Sequence, residues 1–228
     1  MFLKRNFKDG TTVHPFLIHI NPGKVHYHAG SNAYLTKWFE NKIEFLPGSL
    51  FRTTVSIIRM VHPFIIPRML YPSYFHIKDH LKYQKIQDLM ENRHDLRSTM
   101  WFNLFMKELR ARVIVRYKDI EMRNEQDILD FLSSYMLGLI DSISIDGYRE
   151  DKCAKPGKAF ISADGSLHKC SQGDHRFYVA RLLNVKQIPL SISGIHRSYF
   201  LHMCSSNERA DLPLCLRKML REVEVNHQ

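Results

Sequence analysis

The sequence predicts an α+β protein in which a small mixed sheet is combined with helices. An Asp-Gly pair between two apolar segments is a strong hairpin signal, and a glycine-led helix and an alternating apolar strand follow it along the chain. Because hairpin, helix and strand types all occur here within a short stretch, neither an all-α nor an all-β class fits. The segments are KAFISA (158–163), SLHKC (166–170), DHRFYVARLL (174–183), which ends at Asn184, and IPLSISGI (188–195), which we expect to be a half-buried strand.

The other elements predicted for the second half come from local patterns. A cap-like Asn124 followed by acidic residues indicates a helix that ends near Gly138. Apolar residues at helical spacing predict a tail helix from about Asp211, with Leu216, Met219, Leu220 and Val223 facing inward. The predicted strands are ARVIVRY (111–117) and IDSISI (140–145).

The N-terminal half gives weaker signals, but it still predicts a mixture of helices and strands. A turn is expected at the Asn-Pro-Gly sequence of residues 21–23. The predicted strands are 13–20 and 51–58, and the predicted helices are 31–40, 74–92 and a segment from Asp95 to about Arg110.

Charge is distributed unevenly along the 228 residues. Residues 1–120 contain 19 Lys and Arg against 9 Asp and Glu, a net +10, whereas residues 121–228 contain 14 of each. This asymmetry favours an anionic partner for the first half. No stretch approaches about 18 uncharged apolar residues, so no membrane span is predicted. The first ten residues do not have the pattern of a secretory signal, so a cytoplasmic location is expected.

The four cysteines predict neither a disulfide framework nor a metal site. Cys153, Cys170, Cys204 and Cys215 form no C-x-x-C pair. We therefore expect reduced thiols, as in most cytosolic proteins. His168 lies close to Cys170, but a zinc site needs four convergent ligands, so no metal is predicted.

The segment QGDHRFYVARLLNVKQIPLSI (172–192) carries a recognisable pattern. Gly173, Asp174, His175 and Arg176 match a helix-opening G-x-H-R motif, which is followed by a packing alanine at Ala180 and an Ile-Pro strand entry. With these matches, residues from about 111 to 196 resemble the ParB N-terminal-like domain of the ParB/sulfiredoxin superfamily. The resemblance implies a ParB/sulfiredoxin-like domain over 111–196, with a basic N-terminal α/β extension (1–110) and a C-terminal helical tail (197–228).

The motif has a chemical interpretation of its own. A glycine at a strand-to-helix junction lets backbone N–H groups approach an anion, and the helix N-terminus adds partial positive charge. Arg176 is suited to bidentate phosphate binding. His175 can donate a hydrogen bond or exchange a proton, and Asp174 can act as a base. We therefore expect Gly173, His175 and Arg176 to bind phosphate, and Asp174 and His175 to be the catalytic candidates.

Two activities within the superfamily fit this sequence poorly. Sulfinic acid reduction requires a cysteine where this chain has Asp174. Partition proteins need a further DNA-binding domain, and the 32 residues after His196 are too few for one. A kinase branch would use Asp174 or Asp164 as base, whereas a nuclease branch would need carboxylates clustered on a metal. The candidate carboxylates for the nuclease are Asp141, Asp146, Glu150 and Asp151.

Three functions stay open at this point. The first is a nucleotide- or phosphate-binding protein that takes ATP, ADP or CTP with Mg²⁺, or a phosphorylated small molecule, and whose enzymatic form would be a phosphotransferase or NTPase. The second is a non-catalytic nucleic-acid-binding protein that uses the basic half, where aromatic and basic residues interleave. The third is an inactive family member that binds a protein. Lys24 and His26 lie in a polar loop that would complete the anion site in the first case.

Overall fold

The structure, a computed structural model, describes residues 16–30, 64–151, 155–204 and 212–228. Within these ranges it is a mixed α+β protein, as predicted. The six helices are α1 (Leu81–Glu91), α2 (Met100–Arg112), α3 (Glu125–Asp146), α4 (Asp174–Leu182), α5 (Arg197–Met203) and α6 (Leu212–Asn226). The predicted helix 31–40 and strand 51–58 lie outside the described residues.

Seven strands form one mixed sheet, and they are β1 (Leu17–Ile20), β2 (Tyr27–His28), β3 (Ile65–Ile66), β4 (Phe75–His76), β7 (Gly157–Ile161), β8 (Leu167–Lys169) and β9 (Ile188–His196). Their order in the sheet is β1-β9-β7-β8-β2-β4, with β3 paired to another part of β9. Pairs β7/β9, β8/β2 and β3/β9 are parallel, and the other pairs are antiparallel. A separate hairpin joins β5 (Val115–Tyr117) to β6 (Ile120–Met122).

Side chains on opposite faces of β7 enter two different hydrophobic clusters. Ala159 and Ile161 pack in the main core, whereas Phe160 packs with Ile66 and Cys170 on the other face. Both faces of the sheet are therefore covered. As a consequence, β9 is buried almost throughout, which differs from the half-buried strand expected from its alternating pattern.

The predicted hairpin, the helix after Gly173 and the tail helix are confirmed. Asn184 lies two residues after the last residue of α4 and has a left-handed conformation, with φ of 53°. In α6 the predicted inward residues are all buried, and they are Leu216, Met219, Leu220 and Val223. These elements were predictable because their signals, a D-G turn and an amphipathic stripe, are local.

The predicted strand 140–145 is wrong, since these residues belong to α3. Gly138 has helical φ and ψ of −57° and −38°, so it does not end the helix. Residues Phe131–Leu137 form a π-helical segment within α3. Ile140 and Ile143, three residues apart, are both buried, and this shared apolar face outweighs the β-branched composition.

Two other element boundaries also differ from prediction. The helix predicted from residue 74 begins at Leu81, because residues 75–76 pair with β2 as β4 and His80 caps the helix. The strand predicted from residue 111 begins at Val115, because α2 extends to Arg112. In both places, tertiary pairing and packing decided where the helix stops.

Cys204 and Cys215 form a disulfide, with Cα atoms 6.0 Å apart, which contradicts the expectation of reduced thiols. Because α5 and α6 are adjacent in space, two cysteines that share no sequence motif come within bonding reach. Cys170 is a free, buried thiol.

The helix Glu125–Asp146 is long and apolar enough to cross a membrane by length and composition alone, with a mean hydropathy of 1.4 over its most apolar window and 33% of that window buried. Core helices of soluble proteins pass the same test, so this helix is weak evidence of a span.

Candidate functional site at the start of helix α4

The junction between β8 and α4 depends on the close approach of two glycines. Gly173 caps α4 with φ of +76°, a left-handed conformation that suits glycine. A Cβ built on Gly173 would lie 2.9 Å from the Cα atom of Gly157. The motif glycine is therefore required by backbone packing against the start of β7, in addition to any ligand it serves.

Asp174, the first residue of α4, points inward and is 4% exposed. Its Oδ2 atom lies 3.0 Å from Lys82 Nζ, and its Oδ1 atom lies 3.1 Å from Lys169 Nζ. Burial by itself raises the pKa of Asp174, but His28 and the two ammonium groups outweigh burial and hold the pKa well below its usual range. Asp174 is therefore an anion at neutral pH.

Lys169 is fully buried and has an acceptor for each of its three protons. Its Nζ atom donates to the carbonyl of Cys170, to the carbonyl of Gln172 at 2.6 Å and to Asp174 Oδ1 at 3.1 Å. Burial lowers the pKa of this lysine, although Asp174 opposes that effect. Lys169 therefore ties the junction loop to the first residue of α4.

His28 and His80 complete the surroundings of Asp174. The candidate ligand atoms of these three residues all lie within 4.8 Å of one another, which among the described residues makes them the group suited by distance to a metal. However, the backbone N–H of Gly30 donates to His28 Nδ1 at 2.9 Å, and that of Lys82 donates to His80 Nδ1 at 3.1 Å. Each ring therefore carries its proton on Nε2.

This tautomer does not fit metal coordination. A coordinating imidazole uses a lone pair on one nitrogen and donates a proton from the other, so acceptance at Nδ1 would leave Nε2 without a lone pair for an ion. The His28 Nε2 atom lies 3.7 Å from Asp174 Oδ1. N–H and ammonium groups thus surround the carboxylate, and this donor set neutralises Asp174 rather than presenting it to a cation.

His175 faces away from this cluster into an aromatic environment. Its ring nitrogens lie 3.1 and 2.8 Å from the Tyr117 hydroxyl oxygen, and its ring lies 5.7 Å from that of Trp101. Burial, and then the charges of Lys82 and Lys85, lower the pKa of His175 to about 4. The imidazole is neutral at neutral pH.

Arg176 lies on the side of α4 that faces the end of α3. Together with Arg149 it lines a small open cavity of about 30 Å³. The remaining lining residues are Leu139, Ser142, Ile143, Gly147 and Tyr148. The Arg149 guanidinium also binds Asp151, with Nη2 at 2.6 Å from Oδ2.

Lys24 and His26 are not brought together with the G-x-H-R residues. Arg181, near the end of α4, donates to the carbonyls of Pro22, Gly23 and Val25, the last at 2.7 Å. Arg181 is seven residues beyond Asp174, which is about 10 Å along a helix. The loop that contains Lys24 and His26 therefore packs at the C-terminal end of α4. Of this N-terminal segment, His28 is the residue that lies beside Asp174.

The carboxylates considered for a nuclease or a kinase are held by other partners. Asp141 lies 2.9 Å from Arg93 Nη2, and Glu150 lies 2.9 Å from His19 Nε2. Asp164, at the hairpin tip, accepts hydrogen bonds from Ser162 and Ser166. Burial raises the pKa of Asp164, yet these bonds bring it down to about 2.

Four neighbours of Asp174 were not predicted from the sequence, and they are His28, His80, Lys82 and Lys169. Lys169 did leave a signal, because a lysine between His168 and Cys170 on a strand of a predicted hairpin needs a buried partner if the strand is covered on both faces. The other three come from segments about 90 to 150 residues away along the chain, and no local pattern links them to the motif.

Comparisons of this chain with protein-family models, with curated proteins and with solved structures found no match.

Proposed function

We propose that the chain binds a phosphate-bearing small molecule, with a nucleotide as the ligand class, at the start of α4. The observation that carries the proposal is the pair of arginines, Arg176 and Arg149, that line one cavity beside this helix end. Guanidinium groups bind phosphate oxygens in a bidentate manner. The cavity, about 30 Å³, is about the volume of one water molecule, so the two guanidinium groups would bind the phosphate at the cavity mouth and the ligand would lie largely in solvent.

The electrostatics of the helix end support an anionic ligand. Gly173 provides no side-chain cap, so the first N–H groups of α4 keep their partial positive charge. Lys82 and Lys85 of α1 are close enough to lower the pKa of His175. Asp174 is the acidic residue in the first turn, and its charge is balanced within the protein by Lys82 and Lys169.

The fold proposal rests on the same region. A hairpin, a glycine-led helix and a strand that returns parallel to β7 follow one another in the order expected for a ParB/sulfiredoxin-like domain. This order of elements supports the proposal that the chain contains a ParB/sulfiredoxin-like domain. In the described residues, strands from both sides of residue 110 share one sheet, so the extension 1–110 would be integral to such a domain.

The pKa of Asp174 does not suit the role of a base in phosphoryl transfer. A base needs a pKa near the working pH, and the pKa of Asp174 lies well below that range. His175 is neutral, so it suits a hydrogen-bonding role toward a phosphate or toward Tyr117. We therefore propose that binding of the phosphate-bearing ligand is the primary function. In this proposal Asp174 holds the Lys82 ammonium group in position.

Calorimetric titration with ATP, ADP, CTP and GTP, each with Mg²⁺, tests this function. We expect at least one nucleotide to bind, and Arg176→Ala to weaken its binding by roughly tenfold or more, as loss of a charge-assisted hydrogen bond predicts. The matched control is Arg217→Ala, which removes an exposed arginine on α6. Failure of every nucleotide to bind, or equal affinity of both variants, would reject the proposed site.

A further inference from the structure

The sheet brings together two segments in which aromatic and basic residues interleave. Strand β2 pairs antiparallel with β4, so that Tyr27 lies opposite His76 and His28 lies opposite Phe75. These partners come from residues 26–28 and 74–78, which are far apart in the chain. Among the described strands, β4 is at the end of the sheet order, so the paired segments form an edge.

Four rings at this edge form a continuous series that we call the aromatic row: His26, His76, Tyr27 and Tyr74. Successive ring centroids are 6.3, 6.0 and 5.3 Å apart. Tyr74 is 53% exposed and Tyr27 is 37% exposed. Contiguous exposed aromatic side chains of this kind mark interaction surfaces more often than single ones do.

The aromatic row is supported from beneath by a buried histidine. The His168 ring lies 4.1 Å from that of Tyr74 and 5.3 Å from that of Tyr27. His168 is itself held by the Tyr71 hydroxyl at 3.2 Å and the Ser166 hydroxyl at 3.3 Å. Because Tyr27 and Tyr74 already pack on this held ring, their side chains lose little conformational entropy when a ligand stacks on them.

The charges around the aromatic row are mainly positive. After burial, the groups that lower the pKa of His26 are Arg181, His76, His227 and Lys78, and every one of them is basic. The exposed Lys78 acts on His26, and the exposed Lys24 precedes His26 by two residues in the chain. The nearby acidic residues are Asp79, next to Lys78 in the chain, and Asp164, which acts on His168. Exposed rings combined with flanking cations are complementary to unstacked bases linked by phosphates.

We propose that the aromatic row binds single-stranded nucleic acid, with bases stacked on Tyr27 and Tyr74 and phosphates close to Lys24 and Lys78. This surface is formed by other residues than Arg149 and Arg176, which line the cavity at the start of α4. Base stacking on aromatic rings is tolerant of sequence, so little base preference is expected. Duplexes should bind weakly, since their bases are already stacked.

Fluorescence anisotropy with labelled oligo(dT) and oligo(U) of 15 nucleotides, measured against the same length of duplex DNA, tests the proposal. Tyr74→Ala and Tyr27→Ala should each weaken single-strand binding by roughly tenfold, and Tyr74→Phe should keep it because the ring remains. Lys78→Ala should reduce the slope of log affinity against log salt by about 0.7.

The matched control is Tyr135→Ala, which removes a tyrosine that is 37% exposed on α3. It should leave single-strand binding unchanged, and so should Arg217→Ala, which removes an exposed arginine on α6. The proposal is overturned if single strands do not bind at low salt, if duplex binds equally well, or if Tyr27→Ala and Tyr74→Ala bind as the unsubstituted protein does.

Discussion

The buried carboxylate of Asp174 is stabilised by the charges of its neighbours. Transfer of a carboxylate out of water is costly, and the cost is met here by two ammonium groups at 3.0 and 3.1 Å. The two lysines differ in exposure, since the Lys169 side chain is fully buried whereas that of Lys82 is 44% exposed. Their contributions to stability should differ accordingly.

Lys169→Met should destabilise the fold by about 3–5 kcal/mol, because it leaves Asp174 buried without its interior partner. Lys82→Met is the matched control, and because water screens the 44% exposed Lys82 side chain, its loss should cost less, about 1 kcal/mol. Urea denaturation followed by circular dichroism measures both. In the double variant Lys169→Met/Asp174→Asn part of the loss should be recovered. Equal effects of the two single substitutions would contradict this account of Asp174.

At the level of elements, the start of α4 is defined by a glycine contact. Gly173 and Gly30 both have positive φ, at 76° and 62°. They differ in surroundings, since a Cβ at Gly173 would meet Gly157 whereas a Cβ at Gly30 would meet nothing within 4 Å. The pair therefore separates the cost of conformation from the cost of contact.

Gly30→Ala should cost about 1–2 kcal/mol, the penalty for a side chain at positive φ. Gly173→Ala should cost about 1–3 kcal/mol more, because β7 and the junction must also move apart. Equilibrium unfolding in urea gives both values. If the two alanine variants were equally stable, close packing of Gly173 on Gly157 would not be the reason for glycine in the motif.

At the level of the whole molecule, helices α5 and α6 are joined covalently. The disulfide closes a short loop, with its cysteines 11 residues apart. A cross-link that closes a loop of this size lowers the conformational entropy of the unfolded chain more than that of the folded chain. The bond also secures α6, which packs against β1 at one edge of the sheet.

Reduction of this bond should lower the free energy of unfolding by about 3 kcal/mol. Thiol titration of the denatured chain should find two more reactive thiols after reduction than before it. The double variant Cys204→Ser/Cys215→Ser should show neither the added thiols nor any stability change on treatment with reductant. The same thiol count before and after reduction would mean that the two cysteines are not paired.

The sequence by itself determined the elements whose signals are local. The D-G hairpin around Asp164, the helix that follows Gly173 and the apolar stripe of α6 each depend on residues within a few positions of one another. The motif Gly173–Arg176 was located in the same way. Its role as a phosphate site stays a prediction, because local spacing does not define a ligand.

Tertiary structure alone decided what surrounds these elements. Residues 140–145 are helical because Ile140 and Ile143 share a buried face, and the sequence window could not show that burial. Asp174 is neutralised by His28, Lys82 and Lys169 because strand pairing and helix packing bring together segments about 90 to 150 residues apart, in addition to the neighbouring β8. Local propensity is encoded by neighbours in the chain, whereas burial and charge pairing depend on contacts between distant ones.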